Sequence, residues 1–202
     1  MKKVIDPYRK FPKQARSQET VNVILEATSQ ILQTHGDRAL TTNAIAELAG
    51  VSIGTLYQYF PDKSAIMIAL ARQELAVTAE TVNNSLMTVS EAADPVRAGI
   101  RALLNGFKGR QRARKALIEG LIANGLVNEL TLPVDNVMQS ILSAHAQETN
   151  TEIPTINPVT AYVLTRAVIG TLRAALMEQS SYLGKPEFED ELVRLVRVFL
   201  AE

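Results

Sequence analysis

The sequence predicts an all-α protein, with an N-terminal three-helix head built around a helix-turn-helix and a larger helical body after it. Three observations carry that expectation. Apolar residues recur at three- and four-residue spacing along most of the 202 residues, the period of an amphipathic helix. Residues 41–63, TTNAIAELAGVSIGTLYQYFPDK, hold two short helical runs with a hydroxyl residue before each and a glycine between them. Pro95, Pro133, Pro158 and Pro186 each stand where a helical pattern restarts. Proline is tolerated there because the N–H it lacks has no partner in a first turn.

Residues 1–14 contain Pro7 and Pro12 and show no periodicity, so they read as a flexible arm. Residues 1–16 carry Lys2, Lys3, Arg9, Lys10, Lys13 and Arg16 against Asp6, a net of +5. The formal charge of the chain is +0, so the remainder sums to −5. A basic arm on an acidic remainder favours phosphate contact at one end only. Two readings of the arm stand: Arg9, Lys10 and Lys13 reach phosphates or a minor groove, or the segment is a solvated tail.

A first helix is expected over 15–35, with Val21, Ile24, Leu25, Ile31 and Leu32 on one buried stripe and Gly36 ending it. His35 reads as a helix-end residue. The first helix of the pair is expected from Asn43 to Ala49, capped by Thr41 or Thr42, with Ala44, Ile45, Leu48 and Ala49 inward. Small Ala46 permits a close crossing, Gly50 supplies the turn and Val51 plugs it. Ser52 caps the second helix, about Ile53 to Phe60, and Pro61 closes it.

Within that second helix Leu56 and Phe60 are four apart and face inward, leaving Thr55, Tyr57, Gln58 and Tyr59 outward. Gln can pair with adenine in a major groove, and Tyr and Thr hydroxyls reach phosphates or the thymine methyl. Lys63 opens the next helix, where the macrodipole disfavours a cation and a nearby phosphate would offset the cost. The alternative is a helical hairpin with an incidental tyrosine cluster.

From Gln14 to Lys63 the sequence resembles the DNA-binding domain of TetR-family transcriptional regulators. The resemblance rests on QARSQETVNVILEAT, Gly36, and the TTNAIAELAGVSIGTLYQYFPDK run with its YxYFPxK ending. It implies that Thr42, Ser52, Gly54, Thr55, Tyr57, Gln58, Tyr59 and Lys63 lie at or near DNA. With Ile53, which opens the second helix, these are the candidate DNA-binding residues. The resemblance also implies dimerisation through the last two long helices. The expected division is an arm over 1–14, a helix-turn-helix domain over 15–62, and a ligand-binding and dimerisation domain over 63–202.

In the body, Asp62 caps a helix over about 63–84 with Ile66, Leu70, Leu75 and Val77 inward, and Asn83–Asn84–Ser85 marks a break. Further helices are expected over 95–107, 111–124, 133–148, 158–179 and from Pro186 onward, with a polar loop over 149–158. Leu117, Ile118, Leu121 and Ile122 would share one face. The basic run 105–115, NGFKGRQRARK, reads as a solvated helix start or as an anionic-ligand site.

Residues 158–179 are apolar nearly all round, which implies burial on more than one side. Ala167, Gly170 and Ala174 permit close helix contact. Leu192, Leu195, Val196 and Phe199 form a stripe on the last helix, while Val193 and Val198 leave a second apolar side. A twofold four-helix bundle would cover these surfaces; the other reading is a hairpin buried within one monomer. Polar residues inside apolar stretches, Asn105, Glu119, Asn124, His145, Tyr162 and Arg166, are the candidates for orienting a small apolar ligand.

Two histidines, no cysteine, and no GxSxG or HExxH motif leave few routes to nucleophilic or metal-dependent chemistry, so no enzyme, metal or cofactor is expected. The start of the chain lacks an apolar signal segment, and Arg166 and Arg173 interrupt the longest apolar run, so a cytoplasmic protein without a membrane span is expected. These observations point to a dimeric DNA-binding transcriptional regulator, a repressor released from a palindromic operator by a small effector. The alternative is a small-molecule or lipid-binding helical protein with a vestigial DNA-binding head.

Overall fold

The computed structural model describes residues 6–88, 94–126, 134–148 and 158–200. Among these the regular structure is helical: α1 Ala15–His35, α2 Thr42–Leu48, α3 Ile53–Tyr59, α4 Lys63–Met87, α5 Pro95–Lys108, α6 Gln111–Ala123, α7 Val134–Glu148, α8 Pro158–Met177 and α9 Pro186–Leu200. Short 3-10 turns span Asp37–Ala39 and Ser181–Gly184. The chain divides into two compact units, Met1–Glu74 with Arg110–Leu130, and Leu75–Gly109 with Thr131–Glu202.

The first unit is the three-helix head with two additions, the first half of α4 and all of α6. Helix α1 packs on α2 and α6, and α2 packs on α3. The expected division at residues 62/63 therefore differs from the packing units, which hold residues 63–74 and α6 with the head. The reason is visible on α1. Gln33 reaches across so that its Oε1 accepts from the Ala113 N–H at 2.9 Å, serving an orphan donor in the first turn of α6. Arg110, just before α6, sits at φ 42°, a left-handed conformation that strains a side-chain-bearing residue. Its guanidinium forks onto Glu26 of α1 at 2.7 and 2.9 Å and also donates to Ser29 at 3.0 Å. Arg114 pairs with Glu74. Arg110 and Arg114, two of the five basic side chains in the run, are thus paired within the unit, which corrects the expectation of a solvated helix start.

The core of this unit comes from Ile24, Leu32, Ile45, Leu56, Phe60 and Ile66, each fully buried. A side chain of this size stabilises by about 1.5–3 kcal/mol when removed from water. Three expected inward residues are exposed instead: Leu48 by 47%, Val77 by 57% and Ile122 by 48%. Periodicity marks an apolar face, but neighbours decide which of its members are covered. Helix α4 also runs through Asn83–Asn84–Ser85, where a break was expected.

In the second unit α5 packs on α7, α8 and α9, and α8 on α7 and α9. Gly99 lets α5 approach α7 closely, since an added Cβ would lie 2.5 Å from Ile141 Cγ1. Arg97 and Arg101 of α5 converge on Glu189 of α9, and Arg97 also donates to Asp190 at 2.6 Å. These guanidinium donors hold the Glu189 carboxyl below its ordinary value against the opposing effect of burial, Arg101 contributing most. Helix α8 is long and apolar enough to span a membrane by length and composition alone, despite Arg166 and Arg173. Its Leu164, Val168, Ile169 and Leu172 are buried within the unit, as in a core helix of a folded domain.

Candidate nucleic-acid interface

The helix-turn-helix is built by its caps and its turn. Thr41 Oγ1 accepts from the Ala44 N–H at 3.1 Å, starting α2. Gly50 turns the chain at φ 67°, where a Cβ would be strained, and the Val51 N–H donates to Ala46 O at 3.0 Å. Ser52 Oγ accepts from the Thr55 N–H at 3.0 Å and shares a 2.8 Å hydroxyl contact with Thr55 Oγ1. The expected limits of the two helices hold to within one residue, and Thr41 rather than Thr42 is the cap.

With Leu56 and Phe60 fully buried, α3 is fixed to the head along one side. Ser52, Ile53, Gly54, Tyr57 and Gln58 are exposed, while Thr55 and Tyr59 are half-buried. Thr42 Oγ1 lies 3.1 Å from Tyr57 Oη, tying the start of α2 to the outer side of α3. An added Cβ at Gly54 would meet only Ser52 Oγ at 3.7 Å, so nothing inside the protein needs a glycine there.

Two features of this surface were missed in the sequence. Lys63 has an internal partner: its Nζ lies 3.3 Å from Asp37 Oδ1, in the turn after α1. The offset expected from a phosphate is therefore already supplied in part by a carboxylate. The second feature is the arm. Residues 6–14, expected to be flexible, are packed on the head. Asp6 Oδ1 accepts from the Tyr8 N–H at 2.9 Å, and Pro7 and Pro12 are buried. The Tyr8 ring lies 5.3 Å from that of Phe60 and 5.6 Å from that of Phe11. The Arg9 N–H donates to Tyr59 O at 2.8 Å, satisfying a carbonyl that the end of α3 leaves open. The available signal was the aromatic pair Tyr8 and Phe11 bracketed by two prolines, a composition unlike a solvated tail.

The candidate ligand residues are divided between the two units. Asn105, Glu119, Asn124 and Tyr162 are exposed, and His145 and Arg166 are half-buried. Glu119 faces Lys115 at 4.0 Å, and Asn124 Nδ2 donates to Gly120 O at 2.7 Å, closing α6. Glu119 and Asn124 belong to the first unit and the other four to the second. Arg166 stacks over the Tyr162 ring at 4.8 Å. Arg173, which is not among these candidates, is half-buried, and burial, then Arg166, push its basicity below the usual guanidinium value.

Of the proposed dimer residues, Leu192 and Val196 are 3% and 0% exposed, so they are core residues of one chain and cannot themselves meet a partner. Leu195, Phe199 and Ala167 are half-buried, while Gly170 and Ala174 are exposed. The exposed apolar residues of α8 are Val159, Tyr162 and Val163, and Val198 is exposed on α9. Among the described residues no group of three or more His, Asp or Glu side chains is placed to hold a metal ion.

Residues 24–70 match the model of the bacterial regulatory proteins of the tetR family. The HTH-type transcriptional repressor AcnR of Corynebacterium efficiens is 36% identical over 77 residues, 37% of this chain and 41% of that protein. The HTH-type transcriptional repressor KstR of Mycolicibacterium smegmatis is 42% identical over 59 residues, 29% of each chain. The aligned stretches thus span less than half the length of these relatives. Among solved structures, a TetR-family transcriptional regulator from Streptomyces coelicolor superposes with a TM-score of 0.59 at 20% identity, covering 90% of this chain and 98% of that one. The regulator FadR from Bacillus subtilis, solved with stearoyl-CoA, gives 0.60 at 15% identity, covering 91% and 97%. Such distant structures establish the fold. Residues 24–70 thus carry the sequence signature of the tetR-family bacterial regulatory proteins, and the all-helical fold around them is one that solved TetR-family regulators share.

Proposed function

We propose that the protein is a dimeric, sequence-specific DNA-binding repressor that a small apolar ligand releases from a palindromic operator. The observation that carries this reading is the outer side of α3. Tyr57 and Gln58 are exposed there beside an unobstructed Gly54, on a helix whose other side is locked into the head by Leu56 and Phe60. A glycine that nothing internal requires permits close approach of another backbone, as a DNA strand demands. Gln58 is the base reader, and Thr42, Tyr57, Tyr59 and Lys63 are the phosphate contacts that set register. Relatives named as transcriptional repressors support the sign of regulation.

Two such heads related by a twofold axis would place α3 in successive major grooves, roughly 34–36 Å apart. The exposed apolar residues of α8 support pairing through that helix. The ligand acts by binding the DNA-free arrangement better than the DNA-bound one, since only differential affinity shifts an equilibrium. A regulator of similar fold solved with stearoyl-CoA makes an acyl thioester a first ligand to test. On this reading the protein works in the cytoplasm and catalyses nothing.

Selection of bound duplexes from a random DNA pool tests the reading. A palindrome with two half-sites is the expected result. Recovery of no motif, with binding lost on a modest rise in salt, would overturn it and favour a ligand-binding protein with a vestigial head.

A further inference from the structure

The arm and the end of α3 form one continuous surface. The carbonyl end of a helix carries partial negative charge, which opposes a nearby phosphate. Here the Tyr59 carbonyl is occupied by the Arg9 N–H at 2.8 Å, and two cationic residues follow one another at that point. Both Arg9 and Lys10 are exposed. Their backbone is held from both sides: Tyr8 lies against Phe60, which α3 buries, and Pro12 is buried beyond them. A tail used only for solubility needs none of these anchors.

We propose that residues 6–14 are a preformed strap of the nucleic-acid interface, anchored by Tyr8 and the Arg9–Tyr59 backbone bond, which delivers Arg9 and Lys10 to the phosphates beside the site read by α3. The inference rests on the DNA-binding reading above and adds to it a sequence-independent contact outside the helix-turn-helix. Because the strap is already ordered, its contacts form without the entropy loss that a disordered arm incurs on binding.

The test uses the full chain and two duplexes, one carrying the site selected by the unaltered protein and one of scrambled sequence, titrated over a range of salt. The double substitution R9A/K10A touches only exposed side chains. It should lower the salt slope on both duplexes by roughly 2 and leave the selected sequence unchanged. Y8A should keep the slope, since both cations remain, yet weaken binding by roughly three- to tenfold through the cost of ordering a loosened segment. In the R9A/K10A background Y8A should cost nothing further, because the two cations that Tyr8 positions are gone.

An unchanged slope for R9A/K10A, beside clear site-selective binding by the unaltered protein, overturns the strap and leaves the DNA-binding reading standing. Y8A that costs as much with the cations removed overturns the anchoring, and places Tyr8 in the stability of the head. Failure of the unaltered protein to bind any duplex selectively overturns both.

Discussion

The Lys63 ammonium stands 3.3 Å from the Asp37 carboxylate, so the cation at the start of α4 is shared between the protein and any phosphate that approaches it. Both side chains are partly open to water, at 36% and 42% exposure, which limits such a pair to about 0.2–1 kcal/mol. Replacing Asp37 with Asn frees the cation for DNA. Affinity for all sequences should rise about two- to fivefold. The salt slope should steepen or hold, with no change in the preferred site. Titration over a salt series checks this; weaker binding by D37N would instead mean that Asp37 aims Lys63 productively.

Gln58 is exposed on α3 and is the side chain there suited to a bidentate contact with adenine. Gln58→Ala should cost about 1–3 kcal/mol on the selected site and relax preference at one base pair in each half-site. Repeating the selection with the variant reads this directly. An unchanged motif at unchanged affinity would remove Gln58 from base reading.

Charge on the last two helices should act in two distinguishable ways. Val196 is fully buried within one chain, so Val196→Asp places an unpaired carboxylate in the core and should abolish cooperative folding. Val163 is 46% exposed on α8. Val163→Asp should leave the helical circular dichroism intact while shifting sedimentation toward the monomer and weakening operator binding. A Val163→Asp protein that sediments as a dimer would move the interface away from this side of α8.

The pH dependence of stability should carry a contribution from Glu189. Arg101 first, then Arg97, hold its folded-state carboxyl below the ordinary value of 4.5, while burial opposes them. A depressed carboxyl stabilises the fold fully above the unfolded value, and that contribution disappears as pH falls from about 4.5 through the folded value. Glu189→Gln should therefore cost roughly 1–2 kcal/mol near neutrality and progressively less on acidification below about pH 4.5. Denaturant melts of both proteins across pH 3–7 check the convergence.

Local chemistry made much of the fold readable. The limits of α1, the Ser52 cap, the Gly50 turn and the Asp62 cap of α4, whose Oδ1 accepts from the Ala65 N–H at 2.8 Å, depend on residues within a few positions of one another. The same holds for the outward set on α3, because Leu56 and Phe60 leave only one side free. The candidate ligand residues rest on a weaker signal. Polarity within an apolar stretch says that a side chain is unusual, but Asn105 and Tyr162 point to water and Asn124 closes its own helix.

The sequence by itself determined most of the helices, the helix-turn-helix and the exposed side of α3, since caps, turns and short-range apolar spacing are properties of neighbouring residues. Only the tertiary structure decided that Asp37 holds Lys63, that Glu26 and Gln33 of α1 receive the start of α6, that Leu192 and Val196 are core, and that the arm is tied to Tyr59. Each of these is a contact between residues distant in sequence, or depends on which element covers an apolar stripe. Such pairings arise from how the packed elements meet, and no local propensity encodes them.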